Sequence, residues 1–308
     1  MVLNAKYGWF DISRNGRILA CSSSEGETKV WDLATGSEMG SFQHSSRARK
    51  FAISRDSTTI ASVLQDDTVS LQSLTDESAA VLTSNTISAG DTKQFAAIVA
   101  SPRDDVLASV SYDYRITLWD LKTSKVIKQI TFDEGKKDSF GTLTFSPCGQ
   151  FLVAGCGSAT TGGIFVWNWE TQKQRKIRKH AGFVTAIAVS PDSQTIASSD
   201  AKGIIKVWSI ATEDTLRETA IVRSFVSIAW HPNEPWILAF GSSASGIQLC
   251  NIASDPPSII KDINFPGAYT IYGLAFTGRL SILALTDHDG VVTLWDPEVA
   301  SQAITRKA

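Results

Sequence analysis

Seven segments of the chain share one short phrase, and five of them close on tryptophan and a polar residue. The five are Lys29-Val30-Trp31-Asp32, Thr117-Leu118-Trp119-Asp120, Phe165-Val166-Trp167-Asn168, Lys206-Val207-Trp208-Ser209 and Thr293-Leu294-Trp295-Asp296. Eroded copies stand at Ser70-Leu71-Gln72-Ser73 and Gln248-Leu249-Cys250-Asn251. The central positions, 31, 72, 119, 167, 208, 250 and 295, lie 41 to 48 residues apart. A repeat of that length is one supersecondary unit, which cannot bury its apolar face alone, so stacked neighbours must make the core.

A second signature precedes most copies, an apolar stretch running into a turn: Ala52-Ile53-Ser54-Arg55-Asp56, Ile98-Val99-Ala100-Ser101-Pro102, Leu143-Thr144-Phe145-Ser146-Pro147, Ala188-Val189-Ser190-Pro191-Asp192 and Ile228-Ala229-Trp230-His231-Pro232. A short apolar strand follows, as in Val106-Leu107-Ala108-Ser109-Val110 or Thr195-Ile196-Ala197-Ser198-Ser199. Strands separated by turn signals at regular spacing describe a meander. The linked order resembles the WD-repeat β-propeller family over nearly the whole chain. The resemblance implies an all-β fold, a seven-bladed β-propeller of four-stranded antiparallel blades, as one domain over 1–308. The blades are expected near 7–43, 47–84, 94–132, 139–178, 183–220, 223–263 and 270–306. The last blade needs an outer strand. The segment Ser301 to Thr305 is expected to supply it, in competition with Val2 to Lys6.

Composition narrows the function. The 29 Lys and Arg nearly balance the 31 Asp and Glu, so no global field draws the chain to nucleic acid or to a membrane. The cysteines at 21, 148, 156 and 250 form no CxxC pair and lack His-rich spacing, which argues against a zinc site and a disulfide framework and for reduced thiols. No signal peptide, no apolar run of membrane-spanning length and no Asn-x-Ser/Thr acceptor is present. The expectation is a cytoplasmic or nuclear protein without membrane insertion.

The family's internal relay joins a His before the first strand, a Ser or Thr in the second, an Asp in the following turn and the Trp of the third. Carried over by position, the resemblance places His44 and Asp66 in blade two, beside Leu64 and Gln72. It places Ser111, Asp113 and Trp119 in blade three, His180 and Trp208 in blade five with Asp200 as a substitute acid, and Asp289 and Trp295 in blade seven. No blade is expected to hold all four. The role implied is structural, since buried polar groups must satisfy one another.

No HExxH, GxSxG, P-loop or kinase set occurs, and no cofactor or metal site is expected. The Gly-rich stretch 156–163 lacks the Lys-Ser/Thr of a phosphate loop and reads as a flexible turn. The basic run Lys173-Gln174-Arg175-Lys176-Ile177-Arg178-Lys179 falls on an outer strand, where charge discourages edge-to-edge pairing. What remains is recognition. In the family, partners dock around the top face, and the matching positions here include Lys6, Arg47, Arg49, Gln65, Gln94, Tyr112, Phe183, Thr185, Tyr272 and His288. Arg47 and Arg49 alternate on one strand and so are expected to share a face suited to carboxylates, while the aromatics suit interface anchors.

The leading expectation is a non-catalytic scaffold for protein–protein interaction, monomeric within a larger complex, binding a protein or peptide, acidic in the first instance, rather than nucleic acid. The alternative is the C-terminal ligand-sensing, autoinhibitory propeller of a larger NACHT/Apaf-like signalling NTPase, which a P-loop upstream in the full gene would reveal. A catalytic propeller is the third reading. It requires a cleft with converging titratable groups.

Overall fold

The computed structural model describes residues 2–4, 9–22, 26–66, 68–74, 79–82, 95–111, 115–131, 139–220, 225–242, 246–254, 257–263, 271, 273–276, 283–286 and 291–295. Among them, 28 strands form seven four-stranded sheets, one for each copy of the phrase. No helix there is long and apolar enough to cross a membrane. Two compact units hold the strands, residues 1–132 with 277–308, and residues 133–276.

In the first unit, sheet one is β2 (Phe10–Ile12), β3 (Ile18–Ser22), β4 (Glu27–Asp32) and β5 (Ser37–Gln43). Sheet two is β6 (Ala48–Ile53), β7 (Thr59–Leu64), β8 (Val69–Ser73) and β9 (Ala79–Leu82). Sheet three is β10 (Phe95–Ala100), β11 (Val106–Ser111), β12 (Arg115–Asp120) and β13 (Val126–Thr131). The same unit pairs β28 (Val291–Trp295) with β27 (Leu283–Thr286) on one side and with β1 (Val2–Asn4) on the other.

That last pairing corrects an expectation. The outer strand beside β28 comes from the N-terminus, in register from Val2↔Thr293 to Asn4↔Val291. The favoured segment 301–305 lies outside the described residues. The edge of β28 presents unpaired backbone donors and acceptors, and Val2-Leu3-Asn4 satisfies them. Deleting residues 2–4 is therefore expected to lower the thermal midpoint by a few degrees in circular dichroism, and an unchanged midpoint would contradict the role of β1.

In the second unit, sheet four is β14 (Ser139–Phe145), β15 (Phe151–Gly157), β16 (Gly162–Asn168) and β17 (Gln174–His180). Sheet five is β18 (Val184–Val189), β19 (Thr195–Asp200), β20 (Ile204–Ser209) and β21 (Thr215–Ala220). Sheet six is β22 (Phe225–Trp230), β23 (Ile237–Ser242), β24 (Gly246–Asn251) and β25 (Ser258–Ile263), and β26 (Gly273–Phe276) lies against β22.

The core lies between sheets rather than within them. Val30 and Ile18 of sheet one meet Phe51 and Ile60 of sheet two. Val63 and Leu71 of sheet two meet Leu107 and Trp119 of sheet three. In the second unit Val153 and Val166 of sheet four pack on Ile196 and Trp208 of sheet five, and Val207 of sheet five packs on Leu238 and Phe240 of sheet six. Alternating strand residues face opposite neighbours, which is why both faces of each sheet read as apolar.

The polar letters of the repeat are turn chemistry. Ser54 donates to Asp56 Oδ1 at 2.7 Å and accepts from Thr59 N at 2.9 Å, and Ser190, Asp192 and Thr195 repeat the arrangement. The fourth residue of this turn is left-handed, with φ of 72° at Gly16, 61° at Ser57, 75° at Gly149 and 60° at Ser193. The Asp or Asn after Trp31, Trp119 and Trp167 caps the next turn. Asp32 Oδ1 accepts from Ala34 N, Asp120 Oδ1 from Lys122 N and Thr123 N, and Asn168 Oδ1 from Glu170 N and Thr171 N.

Two bulges recur, and neither was visible in the sequence. On the outer strand, the ladder skips Met39, Ile127, Leu216 and Ile260, which are all exposed. A bulge there bends the free edge away from pairing with another chain. On the first strand, the ladder skips Arg49, Ala96, Gly141, Thr185 and Val226. Arg49 and Thr185 are among the partner-binding positions that the resemblance assigns to the top face, and Ala96, Gly141 and Val226 hold the equivalent place in their own sheets.

The Gly-rich stretch is not a loose turn. β15 and β16 run through it, leaving only 158–161, where Ser158 N donates to Thr161 O at 2.7 Å. Its glycines serve close packing. A Cβ on Gly162 would collide with the carbonyl oxygen of Gly182, and one on Gly155 would come within 2.6 Å of Val184 Cγ1.

Candidate functional site

The densest polar constellation sits between sheets four and five. His180 ends β17, Ser198 and Asp200 lie on β19, and Trp208 lies on β20. His180 Nδ1 is 3.2 Å from Asp200 Oδ2, His180 Nε2 is 2.8 Å from Ser198 Oγ, and Trp208 Nε1 donates to Ser198 Oγ at 2.7 Å. Asp200 Oδ1 also accepts from Lys202 N at 2.9 Å and Ile204 N at 3.0 Å, which fixes the turn into β20. Blade five thus holds the complete relay, contrary to the expectation that none would. Sequence reasoning missed Ser198. The signal was available, because the relay hydroxyl stands ten residues before the tryptophan.

The same offset corrects blade three, where Trp119 Nε1 donates to Ser109 Oγ at 3.0 Å. Ser111, the expected partner, donates to Arg115 O instead. In blade two the position belongs to Ser62 rather than Leu64, and Gln72 replaces the indole. Ser62 donates to Gln72 Oε1 at 3.3 Å, Gln72 Nε2 lies 3.1 Å from His44 Nδ1, and His44 Nε2 lies 2.7 Å from Thr28 Oγ1 of β4. Asp66 lies apart from that chain. It accepts from Ser45 Oγ and Thr68 N and stabilises its own turn. Trp295 is buried, while Asp113 and Asp289 lie outside the described residues.

A Ser–His–Asp set invites comparison with nucleophilic catalysis, and the geometry argues the other way. The side chains of His180 and Asp200 are wholly buried, so no substrate reaches them. The indole donates to Ser198, whose own proton then points to His180 Nε2, leaving Nδ1–H for Asp200. Every donor and acceptor is already used. Burial pushes the His180 imidazole below its usual range, and the neighbouring Asp200 offsets only part of that. Burial lowers His44 likewise, against the opposing charge of Asp66. These sets join adjacent sheets: His180 ends a strand of sheet four and bonds into sheet five, and His44 bridges Thr28 of sheet one to Gln72 of sheet two.

Among the described residues, no group of three or more His, Cys, Asp and Glu could hold a metal. All four cysteines are free thiols. Burial pushes the Asp11 carboxyl up to about 7 although it accepts from Ile12 N and Ile53 N, the latter a second tie between sheets one and two. Burial also brings Lys50 down to about 7, with its Nζ 3.3 Å from the ring centre of Trp9.

Of the partner-binding candidates, Lys6, Gln94, Tyr112, Tyr272 and His288 lie outside the described residues. Arg47 and Gln65 are joined through Gln65 N and Arg47 O at 2.8 Å, and Arg49 Nη2 donates to Leu64 O at 3.4 Å. Because Arg49 is the bulged residue, the alternation that would put both guanidiniums on one face is broken. In the second unit Phe183 covers Gly141, where a Cβ would strike its ring, and Thr185 bonds Ser199 Oγ at 3.0 Å.

The basic run is partly consumed by structure. Arg175 pairs with Glu213 at 3.1 Å, and Lys176 Nζ sits 4.5 Å from the Phe165 ring centre. On the opposite turns, Arg14 donates to Pro102 O and Arg55 to Arg103 O, so both tie first turns within the first unit.

Comparison with known proteins agrees with this architecture. Residues 171–209, the stretch that contains His180, Ser198, Asp200 and Trp208, match the family model described as "WD domain, G-beta repeat". The Arabidopsis thaliana transcriptional corepressor LEUNIG_HOMOLOG is 23% identical over 92% of this chain and 34% of its own length. The Schistosoma mansoni WD repeat-containing protein SL1-17 is 33% identical over 34% of this chain and 33% of its own. The chain thus spans about a third of the length of these curated relatives. Among solved structures, the β-propeller domain of Cps50 (Swd1) from Myceliophteria thermophila superimposes with a TM-score of 0.79 at 14% identity, covering 96% of this chain and 98% of that one. U3-55K gives 0.76 at 15% identity, over 93% and 91%. With the repeats and the seven sheets, these likenesses show a β-propeller fold that carries a WD-repeat match over 171–209.

Proposed function

We propose that the chain is a non-catalytic interaction platform that binds a peptide or protein loop through its first-strand positions. The observation that carries this reading is the repeated bulge. Five sheets present a residue at the same skipped position, and the residue types differ: Arg49, Ala96, Gly141, Thr185 and Val226. Bulges re-aim side chains at rims. A fixed geometry carrying variable chemistry suits recognition, whereas catalysis needs a converging polar set, and the polar sets described above are spent inside the fold. Arg47 and Arg49 favour a carboxylate-bearing partner. Buried polar networks and free thiols fit a role in the cytoplasm or nucleus within a larger assembly.

Changing Arg47 and Arg49 together to Ala is expected to weaken capture of partners from a lysate of the source cells by about tenfold, with the thermal midpoint nearly unchanged. Quantitative mass spectrometry of the captured proteins reads the result. Capture equal to that of the unaltered chain would remove the first-strand positions of the first unit from the binding surface.

A further inference from the structure

The turns that join first strand to second carry an arrangement that neither the relay nor the first-strand positions use. In sheets three to six the residue that opens this turn is followed by proline, at Pro102, Pro147, Pro191 and Pro232. Proline there pre-sets the backbone for the turn. In sheets one and two the same place, after Ser13 and Ser54, holds Arg14 and Arg55. Both arginines are exposed, and both reach away from their own sheets to the turn of sheet three. Arg14 Nη1 donates to Pro102 O, and Arg55 Nη1 donates to Arg103 O at 2.9 Å. Two side chains from different sheets thus end on successive carbonyls of one turn, and that turn carries the exposed Arg103 as well.

A guanidinium carries its charge and five N–H donors in a fixed fork, and one hydrogen bond to a carbonyl positions that fork without neutralising it. The carboxylates nearby have work in their own turns. Asp56 Oδ1 accepts from Ser54 Oγ, Thr58 N and Thr58 Oγ1, Asp105 pairs with Lys122, and Asp104 follows Arg103 at the surface. These acids flank the arginines along the chain, so a long polyanion would meet repulsion beside attraction. A compact dianion would meet the gathered guanidiniums alone. The three turns, 13–17, 54–58 and 101–105, contain no aromatic residue for a nucleobase to stack on and no large aliphatic one for a bilayer to bury.

We infer that Arg14, Arg55 and Arg103 form an anion-binding site that takes the phosphoryl group of a phosphorylated protein segment. The forks of Arg14 and Arg55 meet its oxygens in charge-assisted hydrogen bonds, and Arg103 adds a third positive charge beside them. A phosphoryl group brings nearly two charges and three acceptor oxygens, where a carboxylate brings one charge and two, so the site distinguishes the modified segment from an acidic one. The cluster lies at the far end of the first strand from Arg47, which precedes β6 while Ser54 and Arg55 follow it. Its occupant therefore binds whether or not the first-strand positions are filled.

Proton–nitrogen NMR of the arginine side chains, with the intact chain titrated by N-acetyl-O-phosphoserine amide, tests the site. The Nε–H signals of Arg14 and Arg55 are expected to shift saturably, with a dissociation constant at least about fivefold lower than that of N-acetylaspartate amide. Arg14→Gln and Arg55→Gln should each weaken binding by about fivefold, and the double variant, its fold checked by its thermal midpoint, should lose the saturable response. Changing Arg47 and Arg49 to Ala should leave the titration as it is, which separates this site from the first-strand surface. A phosphoserine peptide should bind more tightly than a short oligouridylate or vesicles bearing a phosphoinositide. Absence of saturable shifts, equal affinity for the phosphoserine and aspartate probes, or a response that survives the Arg14/Arg55 double variant would overturn the assignment. Tighter binding of the RNA or the vesicles than of the phosphopeptide would overturn it too, by giving the cluster to a nucleic acid or a membrane.

Discussion

Replacing Asp200 with Ala is expected to remove about 3 kcal/mol of unfolding free energy, because it strips a buried network of its only carboxylate. The carboxylate accepts from His180 Nδ1, Lys202 N and Ile204 N, and it is wholly buried. Truncation leaves three donors with no nearby replacement. The loss should exceed that of Ser109→Ala in blade three, where the indole of Trp119 is the main donor stranded. Urea denaturation followed by tryptophan fluorescence measures both, and a cost for Asp200→Ala below about 1 kcal/mol would mean that the network does not brace the fold.

Gly162→Ala should cost a comparable amount, about 2 to 4 kcal/mol, through sterics alone. The added methyl would meet the backbone carbonyl of Gly182, which cannot rotate aside, and Gly162 pairs with His180 in the ladder. Moving the 181–183 turn to relieve the clash would displace the imidazole from Ser198. The same substitution at Gly40, where nothing lies within 4 Å of the new methyl, should be close to neutral. Equal behaviour of the two variants in thermal unfolding would refute the tight contact.

The repeat made the fold class readable, because the period and the order of turn signals admit few architectures. The interior of each blade was less so. The relay serine was misplaced at Ser111 and Leu64 because those residues end the second strand, while the hydroxyl that meets the indole lies two residues earlier, at Ser109 and Ser62. Strand register decides this, and register is set by pairing partners far apart in the chain. The bulges at Arg49 and Thr185 escaped for the same reason. A skipped residue leaves no compositional mark, yet it breaks the alternation from which a shared face for Arg47 and Arg49 was inferred. That Phe240 and Cys250 of sheet six stand where sheet five has Ser198 and Trp208 also required the structure, since both look like ordinary apolar strand residues until their partners across the ladder are known.

The buried Ser–His–Asp–Trp set is a brace held in one protonation state, with its polar atoms paired to one another inside the fold. Because burial holds the folded-state pKa of His180 below its ordinary value of 6.5, the relay's contribution is fully present above that value and is lost as pH falls through the lowered folded-state pKa. Nitrogen-15 NMR of the histidine rings measures this state directly. At pH 6.5, where an unperturbed imidazole is half protonated, His180 should appear neutral, with its proton on Nδ1 and in slow exchange with water. A half-protonated ring in fast exchange would show a solvent-accessible, titrating histidine and contradict the structural role assigned to the relay.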